Sequence, residues 1–220
     1  MINTDTLPVM ESFYTIQGEG YYQGSAAYFI RLGGCDVGCV WCDVKDSWDA
    51  RKHPQVSIDK IVGDALESLP LTVYRQPSVN GQRSTVDNII AVITGGEPLM
   101  HNLDELTAAL KAKGFRTNIE TSGSSPLSGS WDWICLSPKK FKAPLSEVVP
   151  FANELKVVVF NKHDFEWAET YAAQVSDSCK LYLQPEWDKA ATITPLIIDY
   201  IKANPKWELS LQLHKYINVP

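Results

Sequence analysis

The chain has no apolar run approaching the roughly 18–20 residues that a membrane span requires. Its start, MINTDTLPVMESF, has no basic segment leading into an apolar one. Neither a membrane protein nor a secretory signal is expected, and the cytoplasm is the expected compartment. Positive charge is not in excess: 20 Lys and Arg against 26 Asp and Glu give a formal net charge of −6. That balance argues against bulk binding to nucleic acid or to an anionic membrane, while a small-molecule site can keep its own local charge. Internal repeats are absent, and so is a paired cysteine framework. The five cysteines are odd in number, and three of them crowd into one short stretch. In a cytosolic chain this excludes a disulfide scaffold and points to metal or redox chemistry at the cluster. Cys135, in the apolar run WDWICLS, and Cys179, after SDS, read as buried or incidental thiols.

What is present is an ordinary globular composition. The 220 residues are 45% hydrophobic and 21% charged, enough for one substantial core. Runs rich in branched and aromatic residues predict strands at 26–32, 88–94, 115–121, 132–137, 154–160, 180–185 and 207–213. Helical patterns alternate with them. Ser57 caps a helix whose apolar stripe is Ile58, Ile61, Val62, Ala65, Leu66 and Leu69. Further helices are expected over 103–114, ending in a glycine, over 164–175 and over 194–204. Strands alternating with helices imply βα units and a mainly parallel α/β sheet. With six or seven strands the sheet is open or a partial TIM-like (β/α) barrel, since a full eightfold barrel typically needs about 250 residues. The polar stretch 74–88 is the one long loop expected, and nothing in it marks a boundary, so residues 1–220 read as a single domain. In such folds the chemistry gathers at the C-terminal edge of the strands.

The first strand, AAYFIRL, runs into GGCDVGCVWCD, where Cys35, Cys39 and Cys42 have the spacing C-x3-C-x2-C. A helix face would align such positions, but Gly33, Gly34 and Gly38 favour a loop in which the thiolates converge on one centre. Closed structural zinc sites want four Cys or His ligands, and His53 lies eleven residues beyond Cys42, with no second cysteine pair. A [4Fe–4S] cluster with three thiolates leaves one iron open to a ligand that is not protein.

Four more strands end in polar or glycine-rich motifs: ITGGEP (93–98), IETSG (119–123), LSPK (136–139) and LQPEW (183–187). Gly95 and Gly96 allow close backbone approach to a ligand; a simple turn is the plainer alternative. Before the first strand, YTIQGEGYYQG supplies Gln17, a donor and acceptor, and Glu19, an acceptor, which together suit the edge of a purine- or pterin-like ring. A polar turn is again the alternative. Arg31, inside an apolar strand, needs an anionic partner. That partner is either a ligand carboxylate held in bidentate fashion or an acid of the protein.

The C-x3-C-x2-C loop at the end of a strand, with Trp41 before the last cysteine, resembles the radical S-adenosylmethionine superfamily. Together, FYTIQGEG, Arg31, the cysteine loop, TGGEP, ETSG, SPK, LQP and the ending QLHKYINVP resemble the 7-carboxy-7-deazaguanine synthase family from Glu11 to Pro220. The resemblance implies a radical S-adenosylmethionine core with about six parallel strands. It implies a [4Fe–4S] cluster on Cys35, Cys39 and Cys42, and S-adenosylmethionine held by Trp41, Gly96, Glu120, Ser137, Pro138, Lys139, Gln184, Pro185, Glu186 and Trp187. It implies a substrate, 6-carboxy-5,6,7,8-tetrahydropterin, lined by Ile16, Gln17, Gly18, Glu19, Arg31, Thr94 and the terminal Pro220. The implied reaction is a radical ring contraction to 7-carboxy-7-deazaguanine with loss of ammonia, in queuosine and 7-deazapurine biosynthesis. The radical comes from the cofactor, so no side chain is assigned as the catalyst. A homodimer and a reductant such as flavodoxin are implied as partners.

One position departs from the family pattern. Members often have Cys-Asp-Thr, whose threonine hydroxyl binds Mg²⁺; here the triplet is Cys42-Asp43-Val44, and valine offers no oxygen. Either Mg²⁺ binds through water, substrate oxygens or Asp43, or Lys45 neutralises the substrate carboxylate instead. If Pro220 meets the substrate, a C-terminal tag should weaken substrate binding more than an N-terminal one. Two other functions remain open at this point: a radical activase acting on a protein partner, and a non-catalytic iron–sulfur module.

Overall fold

The structure is a computed structural model that describes residues 6–70, 73 and 89–220; the expected loop at 74–88 lies outside the described residues. Side chains along AAYFIRL alternate in the period-two pattern of a strand. Tyr28, Ile30 and Leu32 enter a large apolar cluster, whereas Ala27 and Phe29 join a smaller one with Ile90 and Val92. The same alternation recurs in ELKVVV, where Leu155, Val157 and Val159 pack outward among helices. The opposite face is thereby left to Arg31, Lys156 and their neighbours.

Nine strands form one sheet in the order β3-β1-β2-β4-β5-β6-β7-β8-β9. They are β1 (Thr6–Ile16), β2 (Ala26–Leu32), β3 (Gln55–Ser57), β4 (Ile90–Gly95), β5 (Arg116–Thr121), β6 (Trp133–Leu136), β7 (Glu154–Val159), β8 (Lys180–Pro185) and β9 (Glu208–Leu209). From β2 onward every pairing is parallel, giving six core strands and the short β9. The fold is thus a mixed α/β arrangement with a parallel core. Pairings such as Leu32 with Gly95, Thr121 with Leu136 and Val159 with Pro185 bring successive strand ends to one edge.

The helices are α1 (Ile58–Glu67), α2 (Asp104–Ala112), α3 (Asp164–Ala172), α4 (Ala190–Ala203) and α5 (Leu213–Ile217). The Ser57 hydroxyl accepts the Lys60 N–H at 3.3 Å, capping α1 as its sequence implies. Ile58, Ile61, Val62 and Ala65 of α1 and Leu106 and Leu110 of α2 bury one stripe each against β1, β2, β4 and β5. A fully buried side chain of this kind contributes about 1.5–3 kcal/mol. A second cluster packs Ala168 and Tyr171 of α3 and Ile193 and Ile197 of α4 against β7 and β8. No helix of the described residues is long and apolar enough to cross a membrane.

Three expectations need correction. AAYFIRL is the second strand, because β1 precedes it and pairs antiparallel with both β2 and β3. Pro8, Glu11 and Ser12 obscure β1 in sequence, and its register slips between Val9 and Glu11. The run 207–213 yields only the two residues of β9. Beyond them the backbone N–H of Ser210 donates to the Leu183 carbonyl at 3.0 Å and its buried hydroxyl donates to Gln184, after which the chain turns into α5. Finally, α4 begins at Ala190, so Pro195 falls inside it and removes one helical hydrogen bond.

Candidate active site

At the C-terminal edge a cavity of about 430 Å³ opens among the strand ends. The cysteine loop forms one wall. Gly34 (φ 104°) and Gly38 (φ 73°) take left-handed conformations that side chains disfavour, and the loop contains no helix. The Gly34 N–H donates to the Ser47 carbonyl at 2.6 Å and the Cys35 N–H to Trp48 at 3.1 Å; a turn from Cys39 to Cys42 closes at 3.1 Å. All three thiols line the cavity, and its wall contains no fourth cysteine among the described residues. Burial raises Cys35, and it pushes Cys39 up to about 11 against the pull of Lys139. Such thiols keep their protons near neutral pH until a metal displaces them. Among the described residues no three His, Cys, Asp or Glu side chains converge as a single ion requires. A cubane cluster takes its thiolates at separate corners, so three thiols on one wall without a fourth fit a [4Fe–4S] group with one iron free of protein.

The TGGEP turn packs against that loop. The Gly96 N–H donates to the Leu32 carbonyl at 2.9 Å and the Glu97 N–H to the Gly34 carbonyl at 2.8 Å. A Cβ on Gly96 would overlap that same Gly34 carbonyl, and one on Gly95 (φ 119°) would strike the backbone of Leu32. Glu97 itself is buried and accepts from Thr121 Oγ1 (2.5 Å), Ser122 N (2.8 Å) and Ser122 Oγ (2.5 Å). The TGGEP and ETSG motifs are thereby locked together.

A polar group forms the floor. Lys156 on β7, with its side chain 4% exposed, ion-pairs with Glu19 and lies 3.4 Å from Glu120. Gln17 donates to Glu120 at 3.0 Å, and Gln212 donates to Glu19 at 3.0 Å. Burial alone would raise the Glu19 carboxyl; the Lys156 charge and the hydrogen bonds outweigh it and hold it at about 2. Burial works against the Lys156 ammonium too, but Glu120 and Glu19 raise it well above the usual lysine value. His214 packs against Gly18, where a Cβ would overlap its ring, and burial lowers its pKa.

Of the residues singled out in the sequence, Ile16, Gln17, Gly18, Glu19, Arg31, Thr94 and Pro220 all line this cavity. So do Trp41, Val44, Gly96, Glu120, Ser137, Lys139, Gln184, Pro185, Glu186 and Trp187. Pro138 instead lines a smaller adjoining cleft with Trp41 and Phe141. Ser137 accepts from Lys139 at 2.6 Å. Arg31 is not deeply buried: 27% exposed, it pairs with Glu11 of β1 at 2.7 Å and lies over the Phe13 ring at 5.2 Å. The acid expected as one of its two alternatives is therefore present, and the guanidinium still borders the cavity. Lys215 reaches Asp43 at 3.0 Å. Sequence reasoning missed Lys156, and it quoted Gln212 and Lys215 only within QLHKYINVP, without a role for either. A lysine inside the apolar run ELKVVVF was the available signal for the first.

No family model matches the chain. It is 52% identical over 216 residues to the 7-carboxy-7-deazaguanine synthase of Flavobacterium psychrophilum, covering 98% of this chain and 94% of that one. The Synechocystis enzyme of the same name is 44% identical over 98% of this chain and 95% of its own. The crystal structure of QueE from Escherichia coli superimposes with a TM-score of 0.76 at 32% identity, covering 95% of each chain. With likeness of this extent in sequence and fold, the chain belongs to the 7-carboxy-7-deazaguanine synthase family of radical S-adenosylmethionine enzymes.

Proposed function

We propose that the chain converts 6-carboxy-5,6,7,8-tetrahydropterin to 7-carboxy-7-deazaguanine with release of ammonia, on the route to queuosine and other 7-deazapurines. Beside family membership, one observation carries the reading. Three thiols, a glycine-built turn and the Lys156–Glu19–Glu120 group line a single cavity. Cys35, Cys39 and Cys42 would hold the [4Fe–4S] cluster. Trp41, Gly96, Glu120, Ser137, Lys139 and the segment 184–187 would hold S-adenosylmethionine, with Pro138 at its margin. When bound, these groups supply the one-electron bond cleavage and the radical that takes a hydrogen from the substrate. The chain's own residues bind and orient the ring. Gln17, Glu19 and Glu120 offer acceptors to its N–H groups, and Arg31, paired in register with Thr94 across β2 and β4, meets its carboxylate. Arg31 uses one nitrogen on Glu11 and keeps other donors of its fork for the ligand.

Magnesium does not fit the residues of this chain. The Val44 side chain has no oxygen, its carbonyl already accepts from Ser47, and one carboxylate oxygen of the neighbouring Asp43 holds the Lys215 ammonium at 3.0 Å. No step is assigned to it, and turnover should be unchanged by chelation of divalent ions. A rate restored only by Mg²⁺ would contradict this.

The hydrogen bond from the Leu213 N–H to the Gly18 carbonyl, 2.9 Å, links the chain beyond β9 to the loop after β1. It supports reading the sheet as a partial barrel and residues 1–220 as one domain. The family resemblance supports a homodimer, a flavodoxin-like electron donor and a cytoplasmic location. The test is anaerobic reconstitution with S-adenosylmethionine and a reductant. The deazaguanine product should form from the carboxytetrahydropterin, whereas 5′-deoxyadenosine without that product would overturn the reading.

A further inference from the structure

A lysine inside an apolar strand loses its hydration, and its burial is tolerated where carboxylates offset that loss. Lys156 has two, from separate elements: Glu19 from the loop after β1 and Glu120 from the end of β5. Each carboxylate is braced by an amide, Gln212 on Glu19 and Gln17 on Glu120, both at 3.0 Å. Both acids border the cavity, and so does Lys156. The other titratable groups acting on this cluster are Cys135 of β6, Glu154 of β7, Lys139 of the loop after β6, His214 of α5 and Arg31 of β2.

We propose that Lys156 is a positioning residue that sets the separation and orientation of Glu19 and Glu120, so that they accept the adjacent N–H donors of an amino-pyrimidinone ring. This rests on the functional reading above and deepens it. The ammonium is central because it is the contact the two acids share. Without it each acid keeps one amide donor and no common anchor. The arrangement selects rings with neighbouring donors on one edge, because a ring presenting acceptors there would face two carboxylates.

The test is a double-mutant cycle read by equilibrium dialysis of 6-carboxypterin, an oxidised ring, against protein loaded with cluster and S-adenosylmethionine. K156M should weaken binding by about tenfold or more. The loss should deepen as pH falls from about 8 to 6, because a buried carboxyl without its cation binds a proton. Wild-type binding should stay flat with respect to these acids over that range. The K156M/E19Q protein should bind more tightly than the product of the two single losses allows. Losses that multiply, or a K156M profile parallel to wild type, would overturn the proposal. Should K156M fail to fold, the double variant removes one charge of each sign, and it should bind more weakly than E19Q by clearly less than about tenfold, because only the placement of Glu120 is then still lost. Binding about tenfold weaker than E19Q would overturn the role of Lys156. Wild-type protein that neither binds carboxypterin nor turns over the reduced substrate overturns the functional reading instead.

Discussion

Glu97 accepts four hydrogen bonds while 1% exposed, from Leu99 N, Thr121 Oγ1, Ser122 N and Ser122 Oγ. Glu97→Gln would turn an amide NH₂ toward those donors, leaving buried groups unpaired. The expected loss is about 1–3 kcal/mol, read as a lower thermal midpoint with little change in fold. Glu19 carries a pH signature. Its carboxyl is held at about 2 against an ordinary 4.5, so its pairing contributes stability fully present above 4.5 and lost as pH falls towards 2. Urea midpoints should therefore drop more steeply in that window for wild type than for E19Q; parallel curves would contradict the pairing. Single residues were unevenly legible. Gln17, Glu19 and the three cysteines stand in motifs whose spacing is readable. Lys156 does not, because its partners lie 137 and 36 positions away. Arg31 announced a need for an acid, but only the β1–β2 register, Glu11 opposite Arg31, says which acid.

At the scale of elements, the cysteine loop and the TGGEP turn act as one unit because Gly96 has no side chain. Gly96→Ala would drive a Cβ into the Gly34 carbonyl and toward Cys35 Cβ, 3.1 Å away. The variant should fold but bind less iron per chain after reconstitution; full iron content would contradict the close packing. Helices with an unbroken apolar stripe were legible nearly to the residue, α1 with its Ser57 cap above all. The parallel core strands, outwardly lined by Val, Ile and Leu, were equally clear. Elements whose burial is mixed were not. β1 is largely half-buried along its second half. α5 has no buried residue, so neither period marks it. The helix is held by specific contacts instead, with Lys215 over the Trp187 ring at 4.8 Å and Trp187 against Tyr216 at 5.4 Å.

The whole molecule divides its labour between the faces of one sheet. Two apolar clusters on the helix side supply the packing, which frees the opposite face to carry Lys156 within β7 and Glu120 and Arg31 near the ends of their strands. Segments far apart in sequence close over that edge. The Gly20 N–H donates to Ser210 at 3.0 Å, and Gln212 reaches Glu19. The mainly parallel sheet and the location of the edge followed from the βα alternation. The closing contacts did not, since they join the loop after β1 to residues some 190 positions later. On the proposed function, this edge holds a carboxypterin for radical ring contraction. The most direct test is mass spectrometry of anaerobic reactions containing 6-carboxy-5,6,7,8-tetrahydropterin, S-adenosylmethionine, a reductant and the reconstituted chain. The expected products are 7-carboxy-7-deazaguanine and ammonia in equal amounts, and neither from a chain with Cys35, Cys39 and Cys42 replaced by alanine. Unchanged pterin beside continuing cleavage of S-adenosylmethionine would contradict that function.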